Sequence, residues 1–158
     1  MFASRPAFRD KQFSIVVGNP PWNRPKGERS TGDTSSRSHI EYCEKQEPPV
    51  ELPYRSPIDQ AFIWRSRDFA AKGARLGLIL DAKNFFSQEE QSLKAKRQLM
   101  SAFRPRVMLN LSALHNKKLF PSGEQPALVF VLENDPSGKN DTVLHIAAYP
   151  AGAAVPTA

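Results

Sequence analysis

The sequence is poor in cysteine and lacks long apolar stretches. Cys43 is the only cysteine among 158 residues, so the chain cannot form an internal disulfide, which fits a reducing compartment such as the cytoplasm. No apolar run approaches the roughly 20 residues that a membrane-spanning helix needs. The first residues, Met1 to Arg5, lack the apolar run of a signal peptide. These absences predict a cytoplasmic protein with no membrane contact.

Histidine is also scarce, and basic charge is in excess. His39, His115 and His145 lie far apart and lack the spacing of metal ligands, so no metal site is predicted. Lysine and arginine total 22 against 16 acidic residues, which gives a net charge of +6 and a pI near 9.7. This charge suits a polyanionic partner such as nucleic acid, although charge alone does not identify one.

Short apolar, β-branched segments alternate with segments of helical spacing. This alternation predicts an α/β fold with a mostly parallel, helix-covered sheet and right-handed crossovers. No helix is predicted between the third and fourth strands, so one of them is expected to run antiparallel, as a terminal strand of a mostly parallel sheet. The predicted strands cover residues 13–17, 76–80, 107–111, 127–132 and, with a weaker pattern, 142–148.

Two helices and one long loop are predicted between these strands. The first helix starts at residues 56–59, where the Asp59 carboxylate can reach back to the first turn, and Gly73 is expected to end it. The second starts with a capping-box pattern at Ser87 and ends before Pro105. Residues 23–55 are rich in proline, glycine, serine and charge, which predicts a long mobile loop.

The segment Asn19-Pro20-Pro21-Trp22 follows the first predicted strand directly. In open α/β sheets, ligands bind beyond the carboxyl ends of the strands. Asn19 offers a side-chain carbonyl acceptor, and Pro20 offers a backbone carbonyl on a stiff frame. Two such acceptors can hold both hydrogens of an exocyclic amine. Trp22 presents a flat face for a planar base, a contact worth about 1–3 kcal/mol.

These groups suit an adenine that has been flipped out of a duplex, whose amine is otherwise out of reach. The alternative is that two prolines after a strand merely turn the chain. We favour the functional interpretation because the whole string from Val17 to Trp22 follows a predicted strand.

Residues 13–22 resemble the catalytic motif of amino-methyltransferases, which is Asn or Asp, two prolines and an aromatic residue. The continuation resembles adenine-specific DNA methyltransferases of restriction–modification systems, of the type II and type IIG kind. The resemblance covers residues 13–133, and outside the tetrapeptide its motifs are loose. Its further segments are residues 59–62, 71–80, 119–121 and 126–132.

The resemblance implies a partial Rossmann-like fold for S-adenosylmethionine-dependent methyl transfer. Asn19, Pro20, Pro21 and Trp22 would bind the target adenine, and Asn19 and Pro20 would also lie beside S-adenosylmethionine, the cosubstrate. Residues 13–133 would form the carboxyl-terminal half of the catalytic domain. Residues 1–12 would be an extension, and residues 134–158 an extra strand and tail.

The sequence departs from this family in three places. Only twelve residues precede Phe13, and Gly18 is the only glycine before the tetrapeptide, so the glycine-rich cofactor loop is missing. We therefore expect DNA and a complementing amino-terminal half, or a subunit, as partners. Asp81 stands where these enzymes usually have proline, and a carboxylate there can alter the pocket. No target-recognition domain follows Glu133.

Three further residues are weaker candidates for contacts with nucleic acid. Lys117 and Lys118 follow a predicted strand and can meet phosphates, or lie in a solvated loop. Phe130 can form a second aromatic wall around the base, although a phenylalanine in a strand is more often core. Residues 85–86, a pair of phenylalanines, are expected to pack in the core.

Two other functions remain open from the sequence. The first is an amino-methyltransferase that acts on a protein glutamine or an RNA guanine, since these enzymes use a similar tetrapeptide. The second is a non-catalytic fragment that binds DNA or a partner subunit and transfers nothing by itself.

Overall fold

The computed structural model describes residues 13–22, 34–53, 57–117, 125–136, 138 and 141–150, and five strands within them form one sheet. The strands are β1 (Phe13–Gly18), β2 (Ala70–Asp81), β3 (Arg104–Asn110), β4 (Ala127–Glu133) and β5 (Leu144–Ala147). The helices are α1 (Thr34–Glu44), α2 (Ile58–Arg65), α3 (Ala82–Phe86) and α4 (Glu90–Ala102). Short 3₁₀ turns cover Ser66–Phe69 and Ser112–Lys117.

The sheet has the order β1-β2-β4-β3-β5. β1 runs parallel to β2 and β5 parallel to β3, whereas β4 is antiparallel to both of its neighbours. Four strands therefore share one direction, and the α/β prediction with one antiparallel strand is confirmed. The antiparallel strand is not terminal as predicted, because β4 inserts between β2 and β3, and the last strand, β5, is parallel to β3. The described part of the link from β3 to β4 contains no crossover helix, so β4 returns antiparallel to β3.

The core lies on the middle strands and the helices that cover them. Leu76, Leu78 and Leu80 of β2 are almost fully buried and lie on one face of the strand. Gly77 and Ile79 on the other face are only partly buried, so the predicted burial on both faces is met on one face alone. Trp64 of α2 meets Phe103 edge to face, with ring centroids 5.4 Å apart. Burial of these side chains drives the packing of helices onto the sheet.

The first predicted helix is shorter than expected. α2 ends at Arg65, and β2 begins at Ala70, so Gly73 lies inside a strand and does not end the helix. Gly73 has a φ of 76° at the point where the pairing of β1 with β2 shifts register. The side-chain amide of Asn134 donates to the carbonyl of Ala70 at 3.1 Å. The chain after β4 thereby fixes the early start of β2, a long-range contact that the local pattern does not contain.

The loop prediction for residues 23–55 is wrong for residues 34–44, which form α1. The local sequence gives this helix little support, since its first turn has no acidic residue. Tertiary contacts hold it instead: Cys43 is fully buried, with its sulfur 3.9 Å from the carbonyl oxygen of Ala61 in α2. Tyr42 donates a hydrogen bond to Asp68 at 2.7 Å. The pKa of Tyr42 is raised, first by burial and then by this bond.

The second predicted helix begins later than expected. α4 starts at Glu90, and the Ser87 hydroxyl accepts a hydrogen bond from the backbone N–H of Glu89 at 3.3 Å. The short helix α3 occupies the preceding residues, because the Asp81 carboxylate caps its first turn. No helix in the described part of the chain is both long and apolar enough to cross a membrane.

β1 lies at one edge of the described sheet, where only β2 pairs with it. The sequence predicts a buried strand here, yet Ile15 and Val17 are 65% and 76% exposed. Both side chains lie on the same face of the strand, because side chains alternate along it. The described residues therefore leave one edge and one apolar face of β1 uncovered.

Candidate functional site

The tetrapeptide lies where two parallel strands end together. Gly18, the last residue of β1, pairs with Leu78 near the end of β2. Residues 19–22 then leave the sheet at its carboxyl edge. Asn19 and Pro21 are exposed, Pro20 is buried, and Trp22 is partly buried. The two predicted acceptor residues therefore stand at the strand tip, with Pro20 fixed by packing.

A hydrogen bond orients the side chain of Trp22. Its indole Nε1–H donates to the backbone carbonyl oxygen of Ile79 in β2 at 3.1 Å. One edge of the ring is thus attached to the sheet, which limits its rotation. A flat group held in this way loses little conformational freedom when a ligand stacks on it.

Asp81 lies at the end of β2, and its carboxylate is directed into the fold. The side chain is buried, and it accepts hydrogen bonds from the backbone N–H of Lys83 at 2.9 Å and from the Asn84 side-chain amide at 3.0 Å. These bonds cap α3. The residue that departs from the family pattern therefore stabilises a helix start in this structure.

Asp59 is a fully buried carboxylate in the first turn of α2. Its Oδ2 accepts a hydrogen bond from the backbone N–H of Asp81 at 2.9 Å and another from the Gln60 side-chain amide at 3.3 Å. Burial, with a smaller contribution from the Asp81 charge, raises its pKa to about 6.

Sequence reasoning assigned Asp59 to a local cap and missed this long-range bond. A capping carboxylate is common at a helix start, which masks the signal. The one clue is that Asp59 stands among apolar residues of α2.

The other predicted residues lie apart from the tetrapeptide or beyond the described side chains. Phe130 is fully buried in the core, and its ring packs against Phe85 at 5.0 Å between centroids. This burial favours the core alternative over a wall for the base. Phe85 is buried as expected, whereas Phe86 is partly exposed. The backbone of Lys117 belongs to a 3₁₀ turn, and Lys118 lies outside the described residues.

A separate cavity of about 520 Å³ lies between α1, α2 and the end of α4. Tyr42, Trp64 and Gln98 contribute to its lining. Its polar side chains bond within the fold: Gln98 donates to the Pro49 carbonyl at 2.9 Å, and Tyr42 binds Asp68. The end of α4 leads into the start of β3. The cavity therefore lies by the amino ends of the parallel strands, whereas the tetrapeptide lies by their carboxyl ends.

Residues 1–117 match the family described as the Eco57I restriction-modification methylase. The chain belongs to this family. The match includes β1, the tetrapeptide and β2. No curated protein matches the sequence significantly.

Solved structures of methyltransferases share the fold of this Eco57I-family chain. A type I restriction-modification methyltransferase subunit from Streptococcus thermophilus has a TM-score of 0.63 at 16% identity, over 91% of this chain and 28% of that one. A modification subunit of a putative type I restriction enzyme from Vibrio vulnificus has a TM-score of 0.58 at 12% identity, over 92% and 27%. A putative S-adenosylmethionine-dependent methyltransferase from Listeria monocytogenes has a TM-score of 0.53 at 14% identity, over 86% and 37%.

The Eco57I-family chain thus has part of a methyltransferase fold and spans between about a quarter and two fifths of the length of these three neighbours. The described residues fit S-adenosylmethionine only in part. The exposed amide of Asn19 offers polar groups at the strand tip, whereas Pro20 is buried. The edge of β1 that the described residues leave uncovered adjoins Asn19.

Proposed function

We propose that the chain carries the target-base side of a DNA adenine N6-methyltransferase that uses S-adenosylmethionine. One observation carries this proposal: an exposed acceptor residue, Asn19, and an indole fixed by its own N–H stand together at the tip of adjacent parallel strands. A planar base with an exocyclic amine matches this pair of groups.

The acceptors act on the amine of the base. The Asn19 side-chain oxygen and the Pro20 carbonyl oxygen would each accept one amine hydrogen, which favours a pyramidal nitrogen with an exposed lone pair. When bound, S-adenosylmethionine supplies a methyl group on a positively charged sulfur. The new nitrogen–carbon bond would form as the sulfur–carbon bond breaks, leaving a neutral thioether, and the methylated amine would release its proton to water. The residues supply orientation and electrostatic stabilisation.

Trp22 would hold the ring of the base by stacking. Its anchored edge leaves the indole oriented before the base arrives, which reduces the entropy lost on binding. Stacking does not distinguish one base from another, since every base has a flat face. The two acceptors would therefore select for a base with an exocyclic amine.

A complementing half would supply the rest of the cosubstrate site. Among the described strands, β1 has an exposed face and no partner on its outer edge, which suits a further strand beside it, since open apolar edges pair readily. The structural neighbours include the type ISP restriction-modification enzyme LlaBIII bound to DNA. We therefore propose DNA and an amino-terminal half, upstream or as a separate subunit, as the partners.

The fragment alternative has one observation in its favour. The described residues provide only one side of the cosubstrate site, so the isolated chain is expected to transfer no methyl group. A calorimetric titration with S-adenosylmethionine tests this point, and micromolar binding by the chain alone would contradict it.

The function is tested by reconstitution with the amino-terminal half of a family relative. Tritiated S-adenosylmethionine is supplied with DNA, RNA or protein as the acceptor, and the labelled product is identified by mass spectrometry. We expect N6-methyladenine in DNA alone, and a large loss of transfer with Asn19→Ala and with Trp22→Ala. Gln98→Ala and Trp64→Phe serve as matched controls, because both residues line the cavity by the amino ends of the strands. Full transfer by both tetrapeptide variants would refute the proposal, and labelled glutamine or guanine would favour the alternative substrates.

A further inference from the structure

β2 continues past the end of β1, so the last backbone groups on the β1-facing edge of β2 have no residue of β1 beside them. β1 ends at Gly18, opposite Leu78. Successive strand residues direct their backbone groups to opposite edges. The N–H of Ala82 donates to the Pro126 carbonyl beside β4 at 2.8 Å, so residues 79 and 81 face the β1 side. Their backbone groups need other partners there.

Two side chains from distant parts of the chain bond to these groups. The Trp22 indole N–H binds the carbonyl of Ile79, and the Asp59 carboxylate binds the N–H of Asp81. The side chains of Trp22 and Asp59 thus bond to successive backbone groups on one edge of β2, where a longer β1 would otherwise pair. Any shift of the end of β2 moves both contacts.

We infer that Asp59 is a positioning residue for Trp22: by holding the Asp81 N–H from α2, it fixes the end of β2 to which the indole is anchored. The inference rests on the proposed role of Trp22 in base binding and names a residue outside the tetrapeptide that maintains it. Asp59 need not touch the base or the cosubstrate.

The bonding of Asp59 indicates that the position requires an acceptor more than a charge. Oδ2 makes both of the hydrogen bonds, whereas the buried Oδ1 has no hydrogen-bond partner. A carboxylate retained for its charge alone would normally be paired. Asparagine keeps an acceptor at the same reach, so it should replace Asp59 in the positioning role, and alanine should not.

The test uses the isolated chain and requires no catalysis. The two tryptophans give two indole N–H signals in ¹⁵N-correlated NMR spectra, and Trp22→Phe identifies the Trp22 signal by its loss. Hydrogen exchange of that indole is measured in the wild type and in Asp59→Ala, Asp59→Asn and Ser66→Ala. Ser66 is the matched control, because its buried hydroxyl donates to the Phe62 carbonyl at the other end of α2.

We expect Asp59→Ala to accelerate exchange at Trp22 on the order of tenfold, the size of a typical hydrogen-bond loss, with Trp64 unchanged. Asp59→Asn should restore slow exchange, and Ser66→Ala should leave Trp22 as it is. If Asp59→Ala does not fold, Asp59→Glu is used instead of the alanine variant, because its longer side chain displaces the acceptor. Unchanged Trp22 exchange without the acceptor, or equal acceleration by the asparagine variant, would overturn the inference. Failed methyl transfer with the expected exchange pattern would refute the proposed function alone.

Discussion

The indole of Trp22 donates its N–H to the backbone carbonyl of Ile79 at 3.1 Å, across 57 positions of sequence. This bond connects the segment after β1 to the neighbouring strand β2 at the carboxyl edge of the sheet. The orientation of the proposed base-stacking ring therefore depends on the position of β2 as well as on the segment that carries Trp22.

Trp22→Phe separates anchoring from stacking. Phenylalanine keeps a flat face but cannot donate to Ile79, so we expect unfolding free energy to fall by about 0.5–1.5 kcal/mol. Base affinity should fall less than with Trp22→Ala, for which we expect a loss of about 1–3 kcal/mol. Urea denaturation and fluorescence titration with DNA that contains 2-aminopurine measure the two effects. Equal affinities of the alanine variant and the wild type would contradict a stacking role.

Asp59→Asn should become more stabilising as pH rises. The pKa of Asp59 is raised from 3.8 to about 6 by burial, so its contribution to stability is full below pH 4 and is lost as pH rises through about 6. Asparagine does not titrate. The stability of the variant relative to the wild type should therefore increase by up to about 3 kcal/mol between pH 4 and pH 7. Urea denaturation across this range measures it, and a difference independent of pH would argue against a raised pKa.

Gly73→Ala should destabilise the chain through backbone conformation alone. Its φ is 76°, and an added Cβ would meet no atom within 4 Å, so the expected cost is about 1–2 kcal/mol, that of a left-handed conformation. Gly77 in the same strand is the control, because its φ is not positive and an added Cβ would lie 3.5 Å from Val17. Thermal denaturation of both variants makes the comparison. A cost at Gly73 no larger than at Gly77 would count against a requirement for the left-handed conformation at Gly73.

Ile15→Lys and Val17→Lys should improve solubility and prevent assembly with a complementing half. Both residues lie on the exposed face of the β1 edge, where lysine opposes strand pairing. Ile146→Lys on β5, at the far edge of the sheet, is the matched control. Analytical ultracentrifugation measures self-association, and co-purification with the amino-terminal half of a relative measures assembly. If assembly survives the β1 substitutions and fails with the β5 substitution, the partner binds at the β5 edge of the sheet.

The local patterns predicted the strands better than the segments between them. Continuous apolar runs between turn signals marked β2 and β4, although the structure buries one face of each strand more completely than the other. The helix α1 was missed because its support comes from Cys43, which is buried against α2, and local spacing carries no record of that contact. The end of α2 was misplaced because Asn134, more than sixty residues later, fixes the start of β2.

By itself, the sequence determined the strand alternation, the basic charge and the tetrapeptide at a strand tip, because each depends on residue types at short spacing. Only the tertiary structure decided that Trp22 is anchored on Ile79, that Asp59 binds Asp81, and that the antiparallel strand lies inside the sheet. Those contacts join residues 22 and 57 positions apart, or strands out of chain order. They form when burial of the common core brings the segments together, and local propensity contains no information about them.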